Sequence, residues 1–257
     1  MEQPLHMKNT ERFSGRAEHY IKYRPHYPHA IITCLEQEAC LTKEAVVADI
    51  GSGTGISCMP FLENGNTVFA VEPNADMRDA SGRLLGGFPG FRAVAGTAEK
   101  TTLPDASADL IVAAQAFHWF LGSAARSEFL RIGKPGACTV RMWNERDLLD
   151  ELGKAYEALL QTYAVDYRET NHRNVGPAQL SAFYSPAVYR AHVFRNAQQL
   201  DLQGLKGRLL SASYAPQPGH ALYAPMMSEL EELFARYAHN GMVKFMYTTR
   251  LYIGKLE

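Results

Sequence analysis

Asp49, Gly51, Gly53, Gly55 and Glu72 are the residues whose types and spacing are best suited to chemistry. Asp49 closes the apolar run Val46-Val47-Ala48, and the three glycines follow at alternate positions with Ser52 among them. Missing Cβ atoms let such a backbone turn sharply and approach a ligand closely. The segment from Ile56 is placed to open a helix whose N-terminal amides face the same spot, which suits a small polar ligand. Strand-then-acid returns at Thr67-Val68-Phe69-Ala70-Val71 followed by Glu72, where a second parallel strand would place a carboxylate able to accept from both hydroxyls of a ribose. A dinucleotide fingerprint needs its third glycine at position 56, and that residue is Ile56.

Elements that position these groups follow from the apolar periodicity. The first thirty residues are polar, aromatic and proline-bearing, and predict a helix over the site and then an extended turn at Arg24-Pro25 and Tyr27-Pro28. A helix over 29–39 precedes an alternation of strand 46–50, helix 56–63, strand 67–72, helix 74–85, strands 91–95 and 108–114, helix 122–132 and strand 137–143. That alternation specifies a parallel sheet with helices on both faces. Pro60 falls inside the helix expected after the glycines, so that helix should start late or kink. The rhythm breaks over 144–185, with one helical stretch near 147–163 and a polar loop over 168–176. Strand 189–200, helices 202–211 and 225–239, and a last strand 242–255 complete the chain.

The order acid-x-Gly-x-Gly-x-Gly resembles motif I of the class I S-adenosylmethionine-dependent methyltransferases. Val71-Glu72-Pro73-Asn74-Ala75-Asp76-Met77 is similar to that family's second motif, and Gly96-Thr97-Ala98-Glu99 with Ala108-Asp109-Leu110-Ile111-Val112 to its later segments. Ala114-Gln115-Ala116-Phe117-His118-Trp119-Phe120 resembles the branch that includes trans-aconitate methyltransferase and the type 11 methyltransferases. Phe13-Ser14-Gly15-Arg16-Ala17 with Tyr20-Ile21-Lys22-Tyr23-Arg24-Pro25-His26-Tyr27-Pro28 resembles the same branch, so the likeness covers roughly the first 145 residues.

The resemblance implies a doubly wound, Rossmann-like α/β sheet, mostly parallel with an antiparallel last strand. It implies one domain over 1–257, with 1–30 as a lid and 145–185 as a helical, substrate-side insertion. S-adenosyl-L-methionine is the implied cofactor, held by Tyr20, Arg24, Asp49, Gly51, Ser52, Gly53, Gly55, Glu72, Pro73, Met77, Thr97, Ala98, Glu99, Gln115, Ala116, His118 and Trp119. Asp49 would orient the loop or meet the ammonium of the methionine moiety, and Glu72 would hold the ribose. Tyr20 and Arg24 share a face if their segment is helical, and the guanidinium is suited to a carboxylate of the cofactor or of an acidic substrate. Thr97 stands where the wider superfamily often has an aspartate, so Glu99 or a backbone carbonyl would take the adenine amino group. His118 is the candidate catalytic base for a hydroxyl or amine acceptor, with a hydrogen-bonding role inside the cofactor pocket as the alternative. His172 and Arg173 read as solvated loop residues.

Composition narrows the partners. A formal net charge of −1 with mixed signs gives no basic footprint for nucleic acid, and no apolar run approaches the roughly 20 residues of a membrane span. A small-molecule acceptor and a cytoplasmic location follow as expectations; oligomeric state leaves no signal. Cys34, Cys40, Cys58 and Cys138 lack paired C-x-x-C spacing, so neither zinc nor any other metal site is expected, and all four read as thiols. Methyl transfer to oxygen is the first expectation, on the resemblance alone. N- or C-methylation, a noncatalytic cofactor-binding protein and, less favoured, a nicotinamide-dependent oxidoreductase are the alternatives.

Overall fold

The computed structural model describes residues 17–38, 40–117, 122–165, 167 and 176–256. Helix α1 (Ala17–Tyr23) and α2 (Ala30–Gln37) lead into β1 (Val46–Ile50), α3 (Met59–Glu63), β2 (Thr67–Val71), α4 (Ala75–Leu85), β3 (Phe91–Val94) and β4 (Ala108–Ala113). Then come α5 (Ser123–Ile132), β5 (Gly133–Arg146), α6 (Glu151–Tyr163), α7 (Pro177–Tyr184), β6 (Tyr189–Leu200), α8 (Leu202–Leu210), α9 (Tyr223–Tyr237) and β7 (Val243–Gly254). The seven strands form one sheet in the order β3-β2-β1-β4-β5-β7-β6. β1 to β5 pair in parallel, and β7 runs antiparallel to both β5 and β6. This is the doubly wound, mostly parallel sheet with an antiparallel last strand that the sequence predicts.

Alternation along each strand divides the core into two faces. Val47, Leu110, Val112, Val140 and Met142 pack on one side with Ile31, Leu35 and Phe61. Ala48, Ile50, Ile111, Ala113 and Trp143 pack on the other with Phe117, Phe129 and Phe183. Such two-sided burial is why the central strands read as near-continuous apolar runs. Arg141 lies on the second face, wholly buried, with its guanidinium carbon 3.1 Å from the Phe117 ring centroid and 4.1 Å from that of Phe183.

The 14-residue β5 overshoots the sheet. Its pairing with β4 ends at Ala113 and Arg141, whereas its pairing with β7 continues to Arg146 and Tyr247. The sequence reading stopped this strand at 143 because Asn144-Glu145-Arg146 is polar. The overshoot carries a third core, in which Leu152, Tyr156 and Leu160 of α6 meet Leu205 and Leu209 of α8, Met226 and Leu230 of α9, and Phe245 and Tyr247 of β7.

Two expectations need correction. Among the described residues between 144 and 185 there are two helices, not one: α7 buries Leu180, Phe183 and Tyr184 against the second face. Its eight residues are too few for a periodic signal, although Gly176-Pro177 is a usable start signal. Cys40 and Cys138 are joined in a disulfide with Cα atoms 5.6 Å apart, leaving Cys34 and Cys58 as buried thiols. The loop before β1 meets β5 in space, a proximity that cysteine spacing does not encode. Among the described residues no helix is long and apolar enough to cross a membrane, and no His/Cys/Asp/Glu cluster could hold a metal ion.

Candidate active site

The strand register brings the carboxyl ends of β1, β2, β3 and β4 to one edge, the place where doubly wound folds bind ligands. Gly51 and Ser52 donate their N–H groups to the Val71 carbonyl at 2.9 and 3.1 Å, which ties the glycine loop to the end of β2. Gly55, at φ +86°, has no alternative: a Cβ there would lie 2.4 Å from Leu85 Cδ1 on α4. Helix α3 begins only at Met59 with Pro60 in its first turn, so it does start late. Its amides therefore do not open directly behind the glycines as the sequence suggested, and the loop amides of 51–53 bind the end of β2 instead.

Asp49 is fully buried and accepts from Ser57 Oγ at 2.5 Å and Cys58 Sγ at 3.1 Å. Burial raises its pKa to about 6 against the opposing pull of those two donors. Both act on Oδ2, and the buried Oδ1 has no hydrogen-bond partner among the described residues. Asp49 thus ties the segment after the glycines, through Ser57 and Cys58, to the end of β1. Ser57 and Cys58 were missed because they look like filler before the helix.

Glu72 is buried to 8% exposure at the end of β2. Its Oε2 accepts from Gly53 N–H at 3.0 Å and its Oε1 from Asn74 N–H at 2.9 Å. Burial raises its pKa, and those backbone bonds partly offset it. A carboxylate has about four acceptor positions, so roughly two remain for a ligand. Pro73 follows, its carbonyl accepting from Arg78 Nη1 at 2.6 Å. Asn74 caps α4 by accepting from Met77 N–H at 3.0 Å, which fixes Met77 beside the site.

Past β3, Thr97 and Lys100 bond reciprocally through their backbones and close a turn in which Ala98 is buried and Glu99 half-buried. Past β4, Gln115 donates to the Asn144 carbonyl at 3.3 Å, and Ala116 is half-buried beside it. His118 and Trp119, together with Phe120, His172 and Arg173, lie outside the described residues.

Arg24 lies one residue past the end of α1, its N–H donating to the Tyr20 carbonyl at 3.2 Å and its guanidinium lying 4.8 Å from the Tyr20 ring centroid. Tyr20 packs on Met77 and Ala80 of α4, while Arg24 Nη2 donates to the Ser211 carbonyl at 3.1 Å. Tyr27, part of the N-terminal motif but not assigned to the cofactor from the sequence, donates to the Met142 carbonyl at 3.3 Å and is hydrogen-bonded by Gln115. Its pKa is raised well above normal by burial, with Tyr20, Asp49 and Arg24 all close enough to act on it. These contacts make the edge and the N-terminal segment one continuous site.

The fold and this edge have the Rossmann-like architecture that class I methyltransferases share. Residues 48–140 match the Methyltransf_11 family model, a methyltransferase domain. Among curated proteins the chain is 36% identical over 135 residues to an uncharacterized methyltransferase of Mycobacterium tuberculosis, covering 52% of this chain and 53% of the relative. It is 32% identical over 140 residues to an uncharacterized methyltransferase-like protein of Schizosaccharomyces pombe, covering 54% of each. The match thus spans about half the length of these relatives. A provisionally assigned type II methyltransferase from Anaeromyxobacter dehalogenans superposes with a TM-score of 0.60 at 21% identity, covering 90% of this chain and 97% of that one. The YcgJ protein of Bacillus subtilis gives 0.56 at 19% identity, covering 88% and 98%. Those two likenesses concern the fold alone. Residues 48–140 are thereby similar to a methyltransferase domain, on a sheet that shares the fold of methyltransferases.

The residues present fit that family's cofactor. An amino-acid end with an ammonium and a carboxylate matches the unpartnered Asp49 Oδ1 and the unpartnered Arg24 Nε. The buried hydroxyls of Ser52 and Thr54, likewise without partners, add polar contacts at the loop, and Glu72 supplies the ribose acceptor.

Proposed function

We propose that the protein transfers a methyl group from S-adenosylmethionine to an oxygen of a small-molecule acceptor. One observation carries the reading: Asp49 and Glu72, both buried on adjacent strand ends around the glycine loop, keep acceptor capacity that no described residue fills. The bound cofactor supplies a sulfonium that is already a leaving group. What the chain adds is alignment and exclusion of water. Glu72, Asp49 and the glycine loop fix the donor, while the N-terminal segment acts as a lid through Tyr20 and Arg24.

The preference for oxygen rests on the likeness of Ala114-Gln115-Ala116-Phe117-His118-Trp119-Phe120 to the trans-aconitate methyltransferase branch. Residues 1–257 act as one methyltransferase domain whose segment 145–185 covers the substrate side. The acceptor is a free small molecule, not nucleic acid or a membrane, and the protein works in the cytoplasm. His118 serves as base if the acceptor is a hydroxyl, and is dispensable to proton transfer if the acceptor is already an ionised carboxylate.

Calorimetry with S-adenosylhomocysteine and with NAD tests the reading. We expect only the sulfur ligand to bind, and at about 100 times its dissociation constant to stabilise the fold by roughly 2.7 kcal/mol. A response to NAD alone reverses the assignment in favour of an oxidoreductase. Binding without methyl transfer to any acceptor in a small-molecule extract would leave a noncatalytic cofactor-binding protein, and a methylated nitrogen or carbon would replace the oxygen reading.

A further inference from the structure

We infer that Asn144 is a positioning residue of the donor site, a side-chain latch that holds the lid segment Tyr20–Tyr27 against the exit of β4. The inference deepens the methyltransferase reading and rests on it.

The turn between α1 and α2 needs partners from elsewhere in the chain. From Pro25 to Pro28 it is neither helix nor strand, and its two prolines have no N–H, so its carbonyls depend on other segments. Three side-chain amides serve them. Asn144 Nδ2 donates to the carbonyls of both Pro25 and His26 at 3.3 Å, Asn196 Nδ2 to that of His26 at 2.7 Å, and Gln198 Nε2 to that of Tyr23 at 3.2 Å. These bonds grip main chain, so Arg24 and Tyr27 keep their side chains for the Ser211 and Met142 carbonyls.

Asn144 also reaches the ligand edge. It lies on the overshoot of β5, opposite Thr249, and is 7% exposed. Its Oδ1 accepts from Thr249 Oγ1 at 2.5 Å and from Asn196 Nδ2 at 3.2 Å, while its main-chain carbonyl accepts from Gln115 Nε2 at 3.3 Å. Gln115 follows β4 at the carboxyl edge and also bonds the Tyr27 hydroxyl. One buried residue thus joins two walls of the donor site.

A primary amide offers two donor hydrogens and an oxygen with two lone pairs, and Asn144 uses all four. That pattern fixes which way the amide faces: turned over, it would set its oxygen against two carbonyls and its hydrogens against the Asn196 donor. A polar network satisfied in this way specifies one arrangement of the segments it joins. The gripped segment begins with Tyr20, packed on Met77 and Ala80 of α4, and includes Arg24, whose N–H bonds the Tyr20 carbonyl. Asn144 therefore acts on the donor through the lid and Gln115. Closing one and setting the other become a single event, as enclosing a donor and later releasing its product requires.

The test uses the full chain, S-adenosylhomocysteine and the isosteric variant Asn144→Asp, which keeps the oxygen bonded by Thr249 and Asn196 but sets a carboxylate against the Pro25 and His26 carbonyls. Trypsin reads the lid after Lys22, since Arg24 is followed by proline. In wild type, bound S-adenosylhomocysteine should slow that cleavage. In the variant the protection should be lost, and S-adenosylhomocysteine affinity at pH 7 should fall about 10- to 100-fold, the range for losing two hydrogen bonds. A protonated carboxyl regains one donor, so the affinity gap should narrow as pH falls from about 7 to about 4.5. Arg24, His26 and Tyr27 of the turn, Glu145 on β5, Arg195 on β6 and Arg250 on β7 are common to both proteins and cancel in that gap. A variant that binds as tightly as wild type shows that Asn144 is no latch. A variant that loses affinity yet keeps the protection, or whose gap stays constant with pH, shows that Asn144 serves only the fold, and the inference is again wrong. Wild-type cleavage after Lys22 that ignores bound S-adenosylhomocysteine leaves nothing to latch, whether or not the variant folds. A wild-type protein blind to S-adenosylhomocysteine overturns the methyltransferase reading itself, an outcome distinct from the others.

Discussion

Glu72 and Gly53 are joined across the glycine loop, the N–H of Gly53 donating to Glu72 Oε2 at 3.0 Å. The acid expected to hold a ribose is therefore also a clamp on the loop that precedes it. With Asn74 N–H on Oε1, its carboxylate links the end of β2, the start of α4 and the glycines into one unit.

Glu72→Ala should accordingly do two things. It removes charge-assisted acceptors worth roughly 1.5–3 kcal/mol each to a ligand, so S-adenosylhomocysteine binding should weaken by at least about tenfold. It also strands the Gly53 and Asn74 N–H groups, so unfolding free energy in urea should fall by about 1–3 kcal/mol. Glu72→Gln, which keeps an acceptor oxygen, should recover part of the stability and less of the affinity. An alanine variant with wild-type stability would show that the clamp contributes nothing measurable.

Asp49 predicts a pH signature. Its folded pKa of about 6 lies above the 3.8 of an ordinary aspartate, so between those values the folded state holds the proton more tightly than the unfolded chain. Stability from this group is then highest at low pH, falls as pH rises from about 4 through about 6, and is flat above. A shift of about two units at 1.36 kcal/mol each corresponds to about 3 kcal/mol. Asp49→Asn removes the titration, so its stability relative to wild type should increase by about that amount between pH 4 and pH 7. Urea midpoints at pH 4, 5, 6 and 7 measure it; a constant difference between the two proteins would mean that Asp49 does not titrate in this range.

Much of the fold was legible because its signals are local. Val46-Val47-Ala48-Asp49-Ile50 and Ala108-Asp109-Leu110-Ile111-Val112-Ala113 read as strands since both faces of the sheet bury them. Asp49, the glycines and Glu72 were legible as a set because turning a backbone at a strand end leaves a spacing in the chain. What escaped depends on distance in space. Asn144, Asn196 and Gln198 lie on two strands far along the chain from the turn they bond, and each alone looks like a surface amide. Asn144 was further disguised by sitting on the polar end of β5, where the apolar alternation that marks a strand stops although the pairing with β7 continues. Ser57 and Cys58 are close to Asp49 in sequence, but a hydroxyl or thiol in a loop announces no partner.

The Cys40–Cys138 bond closes a loop of 98 residues that includes β1 through β4. A cross-link of that span should stabilise by about 2–4 kcal/mol, chiefly by restricting the unfolded chain. Reductant or Cys40→Ser should lower the urea midpoint to the same extent; equal midpoints with and without reductant would show that the bond carries no stability. The same bond bears on location, since disulfides persist in oxidising compartments and are rare in the cytosol. Alkylation of freshly lysed, denatured cells decides: four labelled thiols support the cytoplasmic proposal, and two labelled thiols count against it.

Arg141 is the case in which burial and ring contacts oppose each other. Its Nε, Nη1 and Nη2 are buried with no hydrogen-bond partner among the described residues, and burial disfavours its charged form. Phe117, Phe183 and Tyr184 surround the guanidinium and return about 0.5–2 kcal/mol each as cation–π attraction. Stranding a buried charge without an anion costs several kcal/mol, and replacing such a charge by an apolar side chain of similar volume often stabilises by about 1–4 kcal/mol. We therefore expect Arg141→Met to leave stability equal to wild type or higher at pH 7. Arginine keeps its proton in a protein, so the difference between the two proteins should not change with pH. Urea midpoints for both proteins at pH 7, 8.5 and 10 provide the comparison. A methionine variant that is markedly less stable at pH 7 would show that the three rings outweigh the desolvation, and that Arg141 is a structural cation of this core.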